Sequence, residues 1–267
     1  MIYYAANNKS NALLERPAYS NPLDLLRDSS LTHNYYVCEA ECQRETSLSN
    51  CKKVSLVELI QYVHNYITTF ITDIYKSPIN YITDSNVNID NSFNLVNKGV
   101  HNNLIMHSRN YCINKGSLDN VLITTNSGYL FNYGKLSLLC INNDDNTVCL
   151  YNNNTKVTIH NSNCRLIING DNSHVISLSS FNLIIVNGDN NTVIVNNMGT
   201  HLIILGEHNR IITRTIGYQI YCHGHYNNLE LYSHGAIFIT KTNIVSYCNA
   251  VKTIQHYNKW QTPDDLL

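Results

Sequence analysis

The chain has 267 residues, 14% of them charged, with a formal net charge of -1 and a pI near 6.8. A typical soluble domain is about 25% charged, so little charge keeps copies of this chain apart, and its near neutrality gives no bulk attraction to nucleic acid or an anionic membrane. No window holds 18 consecutive apolar residues, which excludes a membrane-spanning helix of ordinary kind.

Residues 1–53 read as a polar, partly disordered segment interrupted by Pro17 and Pro22, with a short helix expected at Pro22–Arg27. Met1 to Ser10 lack a basic stretch followed by an apolar one, so no secretory signal is expected and the protein is placed inside the cell, in the cytoplasm. The nine Cys are then expected as reduced thiols. Cys38, Cys42 and Cys51, with His33 nearby, have the donor types of a zinc shell, but their spacing matches no standard finger. No metal and no cofactor are expected.

Residues 54–77 form the one clear helix. Leu56, Leu59, Ile60, Val63, Ile67, Phe70, Ile71 and Ile74 recur at steps of three and four and share a face. Ser55 and Glu58 make a capping-box pair at its start, and Lys76-Ser77-Pro78 stops it. A stripe this long cannot bury itself, and a helix directly before a stack of repeats is expected to cap or cover it.

Residues 82–249 repeat. Gly116, Gly134, Gly170, Gly188, Gly206 and Gly224 lie on one lattice of 18, with Asn152 in a missing place, and Gly199, Gly217 and Gly235 keep the same step. Apolar residues mark the half-step: Val148, Val157, Leu166, Val175, Ile184, Val193, Leu202, Ile211, Ile220, Leu229 and Phe238. A beat of nine inside a period of 18 predicts a mainly β protein, a parallel β-solenoid of about nine coils, each with two short strands and two turns. Gly and Asn at the corners are expected to supply positive φ, and Asn to stack in ladders. Residues 250–267 are expected to close the stack with a short helix over Asn249–Trp260 and then to run out as a polar tail.

The phrase Gly188-Asp189-Asn190-Asn191-Thr192-Val193 resembles the G-x-N-N-T-V coils of bacterial repeat proteins regarded as β-solenoids. That resemblance covers the repeat corners and implies an architecture, without an activity.

The lattice also orients the strands. Stepping by 18 from Thr192 meets His174 and Arg210, and from Asn196 meets Arg214, so these columns face out and Val193 and Val195 face in. The inward columns are then Val121 to Leu229, and Ile105, Ile123, Ile141, Ile159, Ser177, Val195, Thr213 and Leu231. The opposite strand contributes Leu130, Val148, Leu166, Ile184, Leu202, Ile220 and Phe238. Left outside are two apolar strips: Phe131, Cys149, Ile167, Ile185, Ile203, Tyr221 and Ile239 on one sheet, and Leu122, Cys140, Ile176, Ile194 and Ile212 on the other. Exposed strips of this kind mark contact sites; the first is expected either to be hidden by the Ser55–Tyr75 helix or to meet a partner or second copy, and one helix cannot cover both. The expected function is therefore non-enzymatic: a structural or interaction protein that presents a flat apolar sheet to a protein partner or a second copy. The alternative is a carbohydrate-binding or carbohydrate-cleaving β-helix using Tyr221, His201, His223 and Glu230. A third reading, a calcium roll on the corner column Asp171, Asp189, Glu207 and His225, lacks the paired Gly and Asp that such rolls repeat in every half-coil.

Overall fold

The computed structural model describes residues 1–6, 18–29, 31, 34–38, 51–76, 79–82, 86–89, 94–107, 111–241, 243–247 and 256–257. His33, Cys42, the helix stop at Ser77-Pro78 and the tail from Gln261 lie outside them. The chain divides into two compact units, Met1–Ser77 and Pro78–Leu267.

In the first unit an antiparallel sheet has the order β1 (Ile2–Ala6), β2 (Asn34–Cys38), β3 (Lys52–Val54). Between β1 and β2 lies α1 (Pro22–Asp28), where Pro22 opens the helix and the Asn21 side chain accepts from the Leu23 amide at 2.9 Å. Tyr35 and Val37 alternate inward from β2, and Leu23, Leu25 and Leu26 are buried on α1. These apolar residues give the described part of 1–53 a packed interior. In α2 (Leu56–Lys76) the capping box forms: the Ser55 amide donates to Glu58 Oε2 at 2.8 Å and the Glu58 amide to Ser55 Oγ at 3.2 Å. Its apolar stripe is buried from Leu56 to Ile74 apart from Phe70, which is half-buried and stacks on Tyr66.

One expectation fails here. Cys38 and Cys51 form a disulfide, with their Cα atoms 4.6 Å apart. The register Val37↔Lys52 makes them the next cross-strand pair of β2 and β3, at the ~4.5 Å spacing of a non-hydrogen-bonded antiparallel pair. Sequence separation alone does not show that juxtaposition. Among the described residues five further Cys are free thiols.

The second unit is the solenoid. Two parallel sheets of 11 and 10 strands alternate along the chain, and successive strands of one sheet are neighbours. Val87 and Tyr247 lie on the first and last strands of the ten-stranded sheet, which makes nine steps between them. Through the middle the step is 18: Val175↔Val193↔Ile211 in the ten-stranded sheet and Leu166↔Ile184↔Leu202 in the other. Val193 and Val195 are fully buried and Ile194 is half-buried, as the outward columns require.

Toward the ends the step departs from 18: it is 15 at Ile79↔Asn94, 17 at Leu95↔Cys112 and Leu104↔Val121, 17 again at Ile220↔Ile237, and 16 at Leu229↔Val245. Where it is 17 the expected facing inverts, because side chains alternate with period two. Ile105 pairs with Leu122 and faces out, while Met106 takes its place in the core. At the other end Ile220 pairs with Ile237, Tyr221 with Phe238, and Cys222 with Ile239. Phe238 therefore belongs to the outer column and Ile239 continues the inner one, packed against the core. The turn from Tyr232 to His234 is one residue shorter than that from Arg214 to Gly217, which produces the slip. The described part of the expected closing helix is a strand, His256–Tyr257, parallel to Ile237–Phe238.

The corners also differ from expectation in one respect. A Cβ on Gly188 would stand 2.1 Å from the carbonyl oxygen of Gly170, one coil below, and a Cβ on Gly206 2.1 Å from that of Gly188. These glycines permit backbones to stack closely, while positive φ falls two residues later, on Asn172, Asn190, His208 and Tyr226. The expected side-chain ladder of Asn forms at Asn97 to Asn114 (2.7 Å), Asn114 to Asn132 (2.5 Å) and Asn187 to Asn169 (2.7 Å), and later in the same corner the ladder runs from backbone to side chain. The backbone amides of Ser173, Asn191, Asn209 and Asn227 donate in turn to Oδ1 of Asn191, Asn209, Asn227 and Asn243 at 2.7–2.8 Å.

Candidate functional site

Outward orientation and exposure part company on the 11-stranded sheet. Phe131, Cys149, Ile167, Ile185, Ile203 and Tyr221 stand in one register column, outside the solenoid core, yet none exceeds 3% exposure. Of the two outcomes open for this strip, a contact face left free or a covered one, burial rules out the free face for these six residues. Pointing away from a core exposes a side chain only where nothing else lies over it, and a repeat lattice carries no information on that.

The ten-stranded sheet retains an accessible strip. Leu122, Cys140, Thr158, Ile176, Ile194 and Glu230 are half-buried in one column, with Ile212 at 5%. Flanking it are the column of Leu138, Lys156, His174, Thr192 and Arg210 and that of His160, Leu178, Asn196 and Arg214. Arg210 grips Glu230 on the next coil through two parallel bonds, Nε to Oε1 at 2.6 Å and Nη2 to Oε2 at 3.1 Å. Those bonds hold the Glu230 carboxyl below its ordinary range. The face is thus flat, apolar along its midline and polar at its margins, a composition suited to contact with another folded surface.

The other candidate groups are dispersed or engaged in the fold. Asp171 Oδ1 accepts the Asp189 amide at 2.7 Å and Asp189 Oδ1 the Glu207 amide at 2.6 Å, so this acidic column is a corner ladder. His201, Tyr221 and His223 belong to the 11-stranded sheet or its adjoining turn, whereas Glu230 belongs to the other sheet. His201 and Tyr221 are also buried, and His223 shares a hydrogen bond of 2.7 Å with Thr240. Burial pushes the thiols of Cys112, Cys164 and Cys222 up to about 12, which leaves them protonated and unreactive at neutral pH. No helix among the described residues is long and apolar enough to cross a membrane.

One surface feature escaped the sequence reading. Where the chain leaves the ten-stranded sheet, Leu178, Phe181, Met198 and Ile216 are exposed in three successive turns. A signal for it exists: the lattice steps Asn163 to Phe181 and Ser180 to Met198 exchange polar residues for apolar ones. No protein-family model, curated protein or solved structure matches this chain.

Proposed function

We propose that this chain is a non-enzymatic interaction protein whose ten-stranded sheet presents a flat, half-apolar face to a protein partner or a second copy of itself. The observation that carries this reading is the column Leu122, Cys140, Ile176 and Ile194, which keeps partial exposure along several coils. At about 4.8 Å per coil such a column offers a straight apolar track, and burying it against a partner is worth roughly 25 cal/mol per Å² before the costs of association. An intracellular location belongs to the same proposal. The five free cysteines, four of them buried, support it, and the Cys38–Cys51 bridge stands against it.

The test is Ile176→Lys together with Ile194→Lys. These side chains already point outward, so the circular dichroism spectrum should persist. Self-association by light scattering, or cross-linking to a folded partner, should fall at least tenfold, because each Lys places a charge in a desolvated contact. If neither readout changes in the double variant, this reading is wrong.

A further inference from the structure

The turns that leave the ten-stranded sheet hold a line of exposed apolar side chains: Phe181 at 54%, Met198 at 46% and Ile216 at 54%, with Leu178 beside them at 36%. Single exposed apolar residues are ordinary, but a run through consecutive coils is not. Phe181 also has an uncommon backbone for its size, shared among the described residues with His208 and Tyr226 at the other corner. It has φ +58°, at the lattice position where lower coils place Ser127, Asp145 and Asn163 and upper coils place Gly199 and Gly217. A bulky residue in the left-handed region is costly, and strain of this kind gathers at functional positions.

The neighbouring coil accommodates the ring. A Cβ added to Gly199 would fall 2.5 Å from Phe181 Cδ1, so the absence of a side chain there makes room for the aromatic. The Phe181 amide donates to the Met198 carbonyl at 3.1 Å and the Gly217 amide to that of His234 at 2.9 Å, which ties the Phe181 turn to the Met198 turn and the Ile216 turn to the one above it. Its tips rise at about 4.8 Å per coil.

Shape and charge select the occupant. Turn tips form a convex edge, unlike the flat sheet beside them. The stretches Leu178–Asn182, Asn196–Thr200, Arg214–Tyr218 and Tyr232–Gly235 contain no carboxylate, while Arg214, Tyr232 and His234 are exposed among them. Glu230, whose carboxyl feels Arg214, is already bound by Arg210, and Asp144 and Asp145 lie in the equivalent turn two coils below Phe181. Apolar tips with a cation and a tyrosine alongside are the chemistry of a headgroup boundary: aliphatic and aromatic groups enter the acyl margin, and Arg214 meets phosphate. A net charge of -1 provides no long-range pull, so insertion must carry the attachment. We propose that the ridge of Phe181, Met198 and Ile216 docks this protein on a lipid bilayer surface.

The whole chain is sedimented with vesicles of equimolar phosphatidylcholine and phosphatidylserine, and with phosphatidylcholine alone. The expected result is binding to the mixed vesicles that drops at least tenfold in the Phe181→Ser/Met198→Ser/Ile216→Ser variant, with circular dichroism unchanged, and that weakens in Arg214→Glu. Phe181→Asn provides a second readout. Asn tolerates the left-handed region, so this variant should melt at or above the parent temperature and still bind vesicles less tightly, which a purely structural Phe would not do. No sedimentation of the parent chain, or sedimentation untouched by the triple substitution, overturns the proposal. So does a dimer, detected by light scattering without vesicles, that the triple substitution dissolves, since the ridge would then belong to a second copy.

Discussion

At the scale of single residues, close backbone approach explains more of this chain than turn conformation does. Gly188→Ala forces its Cβ to 2.1 Å from the Gly170 oxygen, so two stacked corners must part. The expected loss is about 1–3 kcal/mol, measured by denaturant unfolding. Gly217→Asn, at φ +73° with open space around its Cβ, should cost much less. A corresponding argument holds for the ladder. Asn209→Ala removes the acceptor of the buried Asn191 amide, bonded at 2.8 Å, and leaves that donor unmet at a cost of about 1–3 kcal/mol. His223 supplies the pH dependence. Desolvation, with Lys241 and His225 nearby, holds its pKa below the ordinary 6.5, so the folded state disfavours its charged form. Below that value the unfolded chain binds more protons. Stability should therefore be complete above pH ~6.5 and decline as the pH falls through the depressed folded value. His223→Gln should flatten that part of a melting-temperature profile, and an unchanged slope would show that His223 is not responsible.

At the scale of elements, facing depends on the number of residues in each turn. The alternation in Thr192–Val195 and the column of charged neighbours were enough to orient the strand, and burial of Val193 and Val195 agrees. The same reasoning failed for Ile105, Phe238 and Ile239, where a period of 17 replaces 18 and every side chain changes sides. Degenerate glycine spacing hides that slip: Gly235 keeps the 18-residue step from Gly217 in the sequence but pairs with Tyr218. The β2–β3 pair offers another test. Alkylation of the oxidised, denatured chain should modify seven of the nine Cys, and nine after reduction, if the Cys38–Cys51 bridge is the only one. Cys38→Ser should destabilise the Met1–Ser77 unit by about 3 kcal/mol, as expected for opening a loop of this length. Equal melting of oxidised and reduced protein would contradict that.

At the scale of the whole molecule, the solenoid is a one-dimensional stack whose coils contact only their neighbours. Removing Gly188–Leu205, one full period, joins Asn187 to Gly206, its lattice successor to Gly188, and lets the ladders re-form. Soluble yield and the β-type circular dichroism spectrum should survive. Removing Gly188–Asn196, half a period, sends each later strand to the opposite sheet and should prevent folding. Recovery of both deletions in equal yield would mean that register matters less than the 18-residue pairing implies.

Architecture, phase and the Asn ladders were all legible in the sequence, because a repeat writes its geometry once per coil: period sets pairing, and alternation sets facing. Three things required tertiary structure. The strip from Phe131 to Tyr221 turned out to be buried, Cys38 to lie opposite Cys51, and Phe181, Met198 and Ile216 to line one edge. Each depends on what lies near a residue in space, and the facing of Phe238 and Ile239 on a turn one residue shorter than its neighbours; a regular pattern contains no term for either.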